Sequence, residues 1–407
     1  MIVNNMIHMI EISFFLKQMV LPNLPKDYLS RQDWYNLGEV FFPLIPSVDH
    51  RLREGSEGDF VRGKRDPPLT DACYHGALKY IIWLTQHFPE KARSDNREVS
   101  CECGHLRVTQ WLFNNVFLTN KETLIQNSFI VSCSQGHLAV ARWLVKHFHL
   151  TQKDVLVESF VMSCTQGHLM VAQWLTERFQ LTPKDVRSND NETFRESCAH
   201  GHLAVAQWLT EHFQLTEQDV RSDNNEAFRM SCVQGHLAVA QWLTERFHLT
   251  EAEARSRENE AFRRSCVYGH LAVAQWLTER FHLTDEEARS QENDAFRGSC
   301  AQGHLVVAQW LTERFHLTKI EARSQQNEAF CWSCGQGHLV VAQWLNQRFH
   351  VTRVNVHDAF HLSCYRGHLA VVQWLTEHFH VTEVEAREVV SGSHMVVAQW
   401  LTERFLL

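Results

Sequence analysis

The chain is 407 residues long, 44% hydrophobic and 21% charged, with a formal net charge of -8 and a pI near 6.4. Those values exclude a disordered chain, and the length exceeds what one compact core usually organises. Acidic and basic residues are interleaved rather than segregated into a basic face, so no nucleic-acid partner is expected.

Met1 to Val20 is apolar but holds Glu11 and Lys17 within the run. Without a basic start or a small-residue cleavage site it does not read as a signal peptide. No uncharged stretch of about 18 residues is present to span a bilayer. The chain is therefore expected to be intracellular, in the cytoplasm, with no membrane partner. Residues 1–65 do not repeat. Within them, Asp27-Tyr28-Leu29-Ser30-Arg31-Gln32-Asp33-Trp34-Tyr35-Asn36-Leu37 resembles the middle of an F-box, with the usual Leu-Pro lead displaced to Leu24-Pro25. That resemblance implies a substrate adaptor for ubiquitin ligation. The alternative is a helical N-terminal cap followed by a charged linker, Asp49 to Arg65.

From residue 66 to 407 the chain repeats. The string Gly-His-Leu-x-Val-Ala-Gln-Trp-Leu recurs, in full or nearly so, at Gly136, Gly167, Gly201, Gly235, Gly269, Gly303, Gly337 and Gly367. Weaker copies start at Gly76 and Gly104, and a last one survives as Ser393-His394-Met395. The matching tryptophans, Trp83 through Trp400, are spaced 28, 32, 31, then 34 five times, then 30 and 26. A regular middle with drifting ends is the pattern of a stacked array whose terminal units face water.

Within a unit the periodicity predicts two helices. Phe194, Ser197 and Cys198 share one face of a short helix that stops before Gly201. The second helix starts near His202, with Leu203, Ala206, Leu209 and Phe213 along one stripe, widened by Val205 and Trp208. So broad an apolar arc has to be covered from more than one side. Gln207 and Glu211 lie outside it and should face solvent. The glycine between the helices supplies a positive φ at the reversal. After the second helix, Thr216 with Asp219, Thr250 with Glu253 and Thr284 with Glu287 have the spacing of a capping box. A short third helical turn is expected there.

Cys198, Cys232, Cys266, Cys300 and Cys334 recur every 34 residues. Stacked helices stand roughly 8–10 Å apart, beyond the about 7 Å between α-carbons that a disulfide allows. The twelve cysteines are therefore expected to be reduced, buried thiols, consistent with a reducing compartment.

These residues resemble the ankyrin repeat, whose Thr-Pro-Leu-His-x-Ala-Ala-x-x-Gly-His-Leu-x-Val-Val-x-x-Leu-Leu is here Glu-Ala-Phe-Arg-x-Ser-Cys-x-x-Gly-His-Leu-Ala-Val-Ala-Gln-Trp-Leu. Pro68-Leu69 ahead of Ala72-Cys73 is the nearest copy of the family's opening. The family's Gly-Ala-Asp-Val-Asn hairpin segment is replaced by Leu-Thr-x-x-Glu-Ala-Arg-Ser. The resemblance implies an all-α, curved solenoid of about eleven helix-turn-helix units, with the hairpin segment replaced by a short helical turn. The near-identical, tryptophan-rich units also look like ankyrin-type arrays of giant DNA viruses that infect amoebae, which would place the protein in host cytoplasm.

Every chemically interesting residue is copied many times, whereas an active site is a singular constellation, so no enzymatic activity is expected. The Cys and His of each unit, such as Cys198 and His202, are four apart but split by the glycine turn. Two ligands per unit do not close a zinc site, so neither metal nor cofactor is expected. The His should bond backbone at the turn. The tryptophans should pack in the core rather than form a stacking platform, and Glu279 and Arg280 should be a solvated pair. What varies between units is the residue before the Ser of the first helix (Glu196, Met230, Arg264, Gly298, Trp332, Leu362) and the residue before Gly (His200, Gln234, Tyr268, Gln302, Gln336, Arg366). The resemblance places these positions before the turn on a concave, partner-binding face. The expected function is protein–protein recognition there, with Tyr268, Trp332 and Tyr365 as anchors. Neutral variation in an architectural array with no dedicated partner is the competing reading. The apolar end at Phe405-Leu406-Leu407 implies either coverage, self-association with a second copy included, or a truncated array.

Overall fold

The computed structural model describes residues 67–87, 96–116, 121–151, 157–352 and 356–406. The F-box-like stretch, the charged linker and Leu407 lie outside them. The chain divides into two units between Arg65 and Asp66, and all the described residues belong to the second. They are helical, with no strand among them. No helix among them is long and apolar enough to cross a membrane.

One repeat shows how the sequence builds the rest. Thr250 opens a short helix, Glu251–Ala254, by a capping box: the Glu253 carboxylate accepts from the Thr250 backbone N–H at 2.8 Å. Satisfying the first free amides in this way is what lets four residues hold a helical turn. The same box recurs at Thr182, Thr216, Thr284, Thr318 and Thr382. The first helix, Ser256–Val267, comes next, then the turn at Gly269, then the second helix, Leu271–Arg280. Each first helix packs on its own second helix and on the first helix of the next unit. Near the C-terminus one eight-residue helix, Glu383–Val390, stands where other repeats have a short and a first helix, and Met395–Phe405 is the last described helix.

A kink near the start of the first helix was not legible in the sequence. Three consecutive residues there, Arg257, Glu258 and Asn259, are left-handed (φ 50, 57 and 59°), as are 189–191, 223–225 and 291–293. Left-handed backbone costs a side-chain-bearing residue roughly 1–2 kcal/mol. The turn is held by the arginine five residues after its middle position: Arg263 Nε donates to the Glu258 carbonyl at 2.7 Å, and Arg195 bonds the Asp190 and Asn189 carbonyls at 2.9 and 3.2 Å. Asn in the third place, the non-glycine residue that best tolerates this region, is buried, and Asn259 Nδ2 donates to the Glu287 carbonyl of the next repeat at 3.3 Å.

From Cys101 to Leu401 the core is one continuous column, with a smaller separate cluster of Leu69, Ala72, Cys73, Ile81, Val108 and Leu112 at the first repeats. Ala261, Phe262 and Cys266 of the first helix and Val273, Ala274 and Leu277 of the second are all buried, as are their counterparts in neighbouring repeats. The repeat tryptophans pack against the core, as expected, but from its edge. From Trp111 to Trp400 the tryptophans of the second helices are half-buried at the seams: Trp276 lies 5.8 Å from Phe281 of its own repeat and 6.4 Å from Phe228 of the preceding one. The indole is too large to enter a column already filled by Phe, so it seals the seam from the side. Gln207, expected in solvent, is also half-buried, whereas Glu211, Glu279 and Arg280 are exposed. The Arg280 guanidinium lies over the Phe281 ring.

Candidate protein-binding surface

Gly269 has φ +83°, as the reversal requires, but a second constraint acts on it. A β-carbon there would stand 2.6 Å from Nδ1 of His304 in the next repeat, closer than such atoms approach. The imidazoles therefore do not bond their own turns, as expected from sequence, but cross the seam. His105 Nε2 is 2.9 Å from the Tyr74 carbonyl and His137 Nε2 is 2.7 Å from that of Glu102, in each case two residues before the preceding glycine. Burial holds His202, His236, His270 and His304 below the ordinary histidine value, and neighbouring imidazoles push His236 and His270 the same way.

Two ladders of charge also cross the seams, and neither was found in the sequence. Arg187, Arg221, Arg255 and Arg289 pair with Asp219, Glu253, Glu287 and Glu321 at 3.1, 2.5, 2.8 and 3.2 Å. Arg221 and Arg255 also donate to the carbonyls of Phe247 and Phe281 at 3.0 and 2.8 Å. Burial alone would raise the Glu253 carboxyl, but bonds from the Thr250 N–H and Arg221 outweigh it and hold it below its ordinary value. The second ladder joins Arg195, Arg229, Arg263 and Arg297 to Glu226, Glu260, Asp294 and Glu328. The signal was present as an Arg and an acid at fixed offsets of 32 and 31 residues. An offset becomes a contact only once the stacking register is known.

Against this framework the row of variable residues divides. Glu196, Met230 and Leu362 are half-buried; His200, Gln234, Arg264, Gln302, Gln336 and Arg366 are exposed. Tyr268, Trp332 and Tyr365 are exposed to 49, 36 and 67%, high values for aromatic side chains in a folded array. Part of the row is tied to seam packing rather than free to vary. A β-carbon on Gly298 would meet Val267 Cγ2 of the preceding repeat at 2.4 Å, and one on Gly335 would meet Leu362 Cβ at 3.1 Å. His200 is engaged locally, its Nδ1 2.9 Å from the Glu196 carbonyl and its ring parallel to that of His202.

The structure brings two of the row's residues, Trp332 and Arg366, to one seam, with the expected anchor Tyr365 beside them. The Arg366 guanidinium lies 5.1 Å from the Trp332 ring centroid, and its Nη1 donates to the Gly335 carbonyl at 3.3 Å. Trp332 Nε1 donates to Glu328 at 3.1 Å. Tyr365 precedes Arg366 on the same helix, Val356–Arg366. Tyr268 belongs to a different repeat, and no ring contact links it to this group among the described residues.

The thiols offer no comparable chemistry. All twelve are free, and eleven of them are buried. Burial pushes Cys198, Cys232 and Cys266 far up, so they stay protonated at neutral pH. Among the described residues no three His, Cys, Asp or Glu side chains are grouped to hold a metal ion. No protein-family model matches the chain, and no curated protein matches it.

Proposed function

We propose that the chain is a non-enzymatic, ankyrin-like scaffold that recognises a protein partner along the row running from Glu196 to Arg366. The observation that carries this reading is the seam of Trp332, Tyr365 and Arg366. There a guanidinium lies over an exposed indole, on helices that pack into the core. Rigid aromatic and Arg anchors are the residues that most often dominate interface energies. Reduced, buried thiols fit a cytoplasmic location. The test is affinity purification from the native cell, comparing wild type with Tyr268→Ala/Trp332→Ala and with deletion of residues 1–65. Loss of a partner with the double alanine, while circular dichroism stays helical, supports a binding row. Loss only with the deletion, together with ligase components, supports the adaptor reading instead.

A second reading, an architectural array without a dedicated partner, is favoured by the Val267/Gly298 and Gly335/Leu362 contacts, because they account for part of the variation by packing alone. Capture of no specific protein by any form would favour it.

A further inference from the structure

Resting on that reading of the row, we infer that its C-terminal half, between Arg264 and Arg366, takes an acidic peptide segment of the partner. In a chain of net charge -8, the variable row from Met230 to Arg366 contains two arginines and no acid. The ladder arginines are paired to carboxylates across the seams. Arg264 and Arg366, both exposed, have no carboxylate partner among the described residues.

Arg366 is also the better organised of the two. Its place over the Trp332 ring and its donation to the Gly335 carbonyl hold the guanidinium at the seam, and a held fork loses less freedom on meeting a carboxylate than a mobile one. Two nearby acids do not cancel it. Glu328 is engaged by Arg297 and by Trp332 Nε1. Asp358 stands two turns away on the same helix, about 12 Å along the axis. In the other repeats the acid at its position is paired by a ladder arginine, but Cys331 occupies the arginine's place, so the ladder ends here and the seam differs from the rest. Two cations are too few for a phosphate backbone, which typically engages many.

The experiment selects a random peptide library displayed on phage against the full chain. Enriched sequences are then measured as fluorescein-labelled peptides by anisotropy. Enrichment of Asp and Glu is expected, with affinity falling about tenfold in Arg366→Gln and falling again in Arg264→Gln/Arg366→Gln, while Arg280→Gln, on the second helix, has no effect. Circular dichroism confirms that each variant is folded. Enriched peptides that are neutral or basic overturn the inference, as does acidic binding that both arginine variants leave intact. If Trp332→Ala abolishes binding and the arginine variants do not, the acidic chemistry falls while the binding row stands. A labelled single-stranded oligonucleotide that binds in an Arg366-dependent manner where no peptide does would also overturn it.

Discussion

The imidazole of His304 occupies the space that a β-carbon of Gly269 would need, Nδ1 lying 2.6 Å from that position. The two residues form one interaction across the seam, and a pair that shares space should be non-additive when mutated. Gly269→Ala is expected to cost about 2–4 kcal/mol, combining left-handed strain with overpacking. In the His304→Ala background the same change should cost at least about 1 kcal/mol less. Urea midpoints of the four proteins check this; strict additivity would show that only φ matters at the glycine.

Acid should weaken the array in two stages. The seam histidines have folded values below the ordinary 6.5, so the unfolded chain binds more protons as pH falls through that region. Their contribution is complete above about 6.5 and lost below it. Asp219, Glu253 and Glu321 are held below their ordinary 3.8 and 4.5, so theirs is lost only at lower pH. Denaturation midpoints should be flat from pH 8 to about 7, fall between about 6.5 and 5, and fall again below about 4.5. A midpoint that rises between pH 7 and 5 would contradict the histidine assignment.

Arg229 is buried, 1% exposed, and binds Glu260 together with the carbonyls of Asn224 and Asp223. Removing it leaves three acceptors without their donor. Arg229→Ala should cost about 3–5 kcal/mol, whereas Arg280→Ala, at the exposed end of a second helix, should stay within about 0.5 kcal/mol. Thermal melts of the two variants decide whether the ladders hold the array together or merely decorate it.

Asp190 has φ 54° and an exposed side chain. Since glycine alone enters that region without steric cost, Asp190→Gly should be more stable than Asp190→Ala by about 1 kcal/mol. Equal stabilities would mean that the turn relaxes when its side chain is shortened.

The sequence made the helices legible because their apolar spacing is set within a few residues: Phe194, Ser197 and Cys198, then Ala206, Leu209 and Phe213. The Thr250–Glu253 box was legible for the same reason. What lies across a seam was not. The reach of His304 to Gly269, the pairing of Arg221 with Glu253 and the half-burial of Trp276 depend on how one repeat is placed on the next, which no local pattern encodes. The left-handed residues 257–259 were hidden because Arg and Glu there contradict local preference. The row from Glu196 to Arg366 was legible as variation, but Gly298 and Leu362 show that part of it answers to a neighbour's volume.

Where the spacing is 34 residues, each seam contact joins a residue to one at a constant distance downstream. Excision of 235–268 would therefore present Arg221 with Glu287 in place of Glu253, and Gly201 with His270 in place of His236. Every junction finds a chemically equivalent partner, so the number of repeats is decoupled from the integrity of the fold. Recombination between copies can lengthen or shorten such a protein in whole steps, with the recognition row as the property that changes.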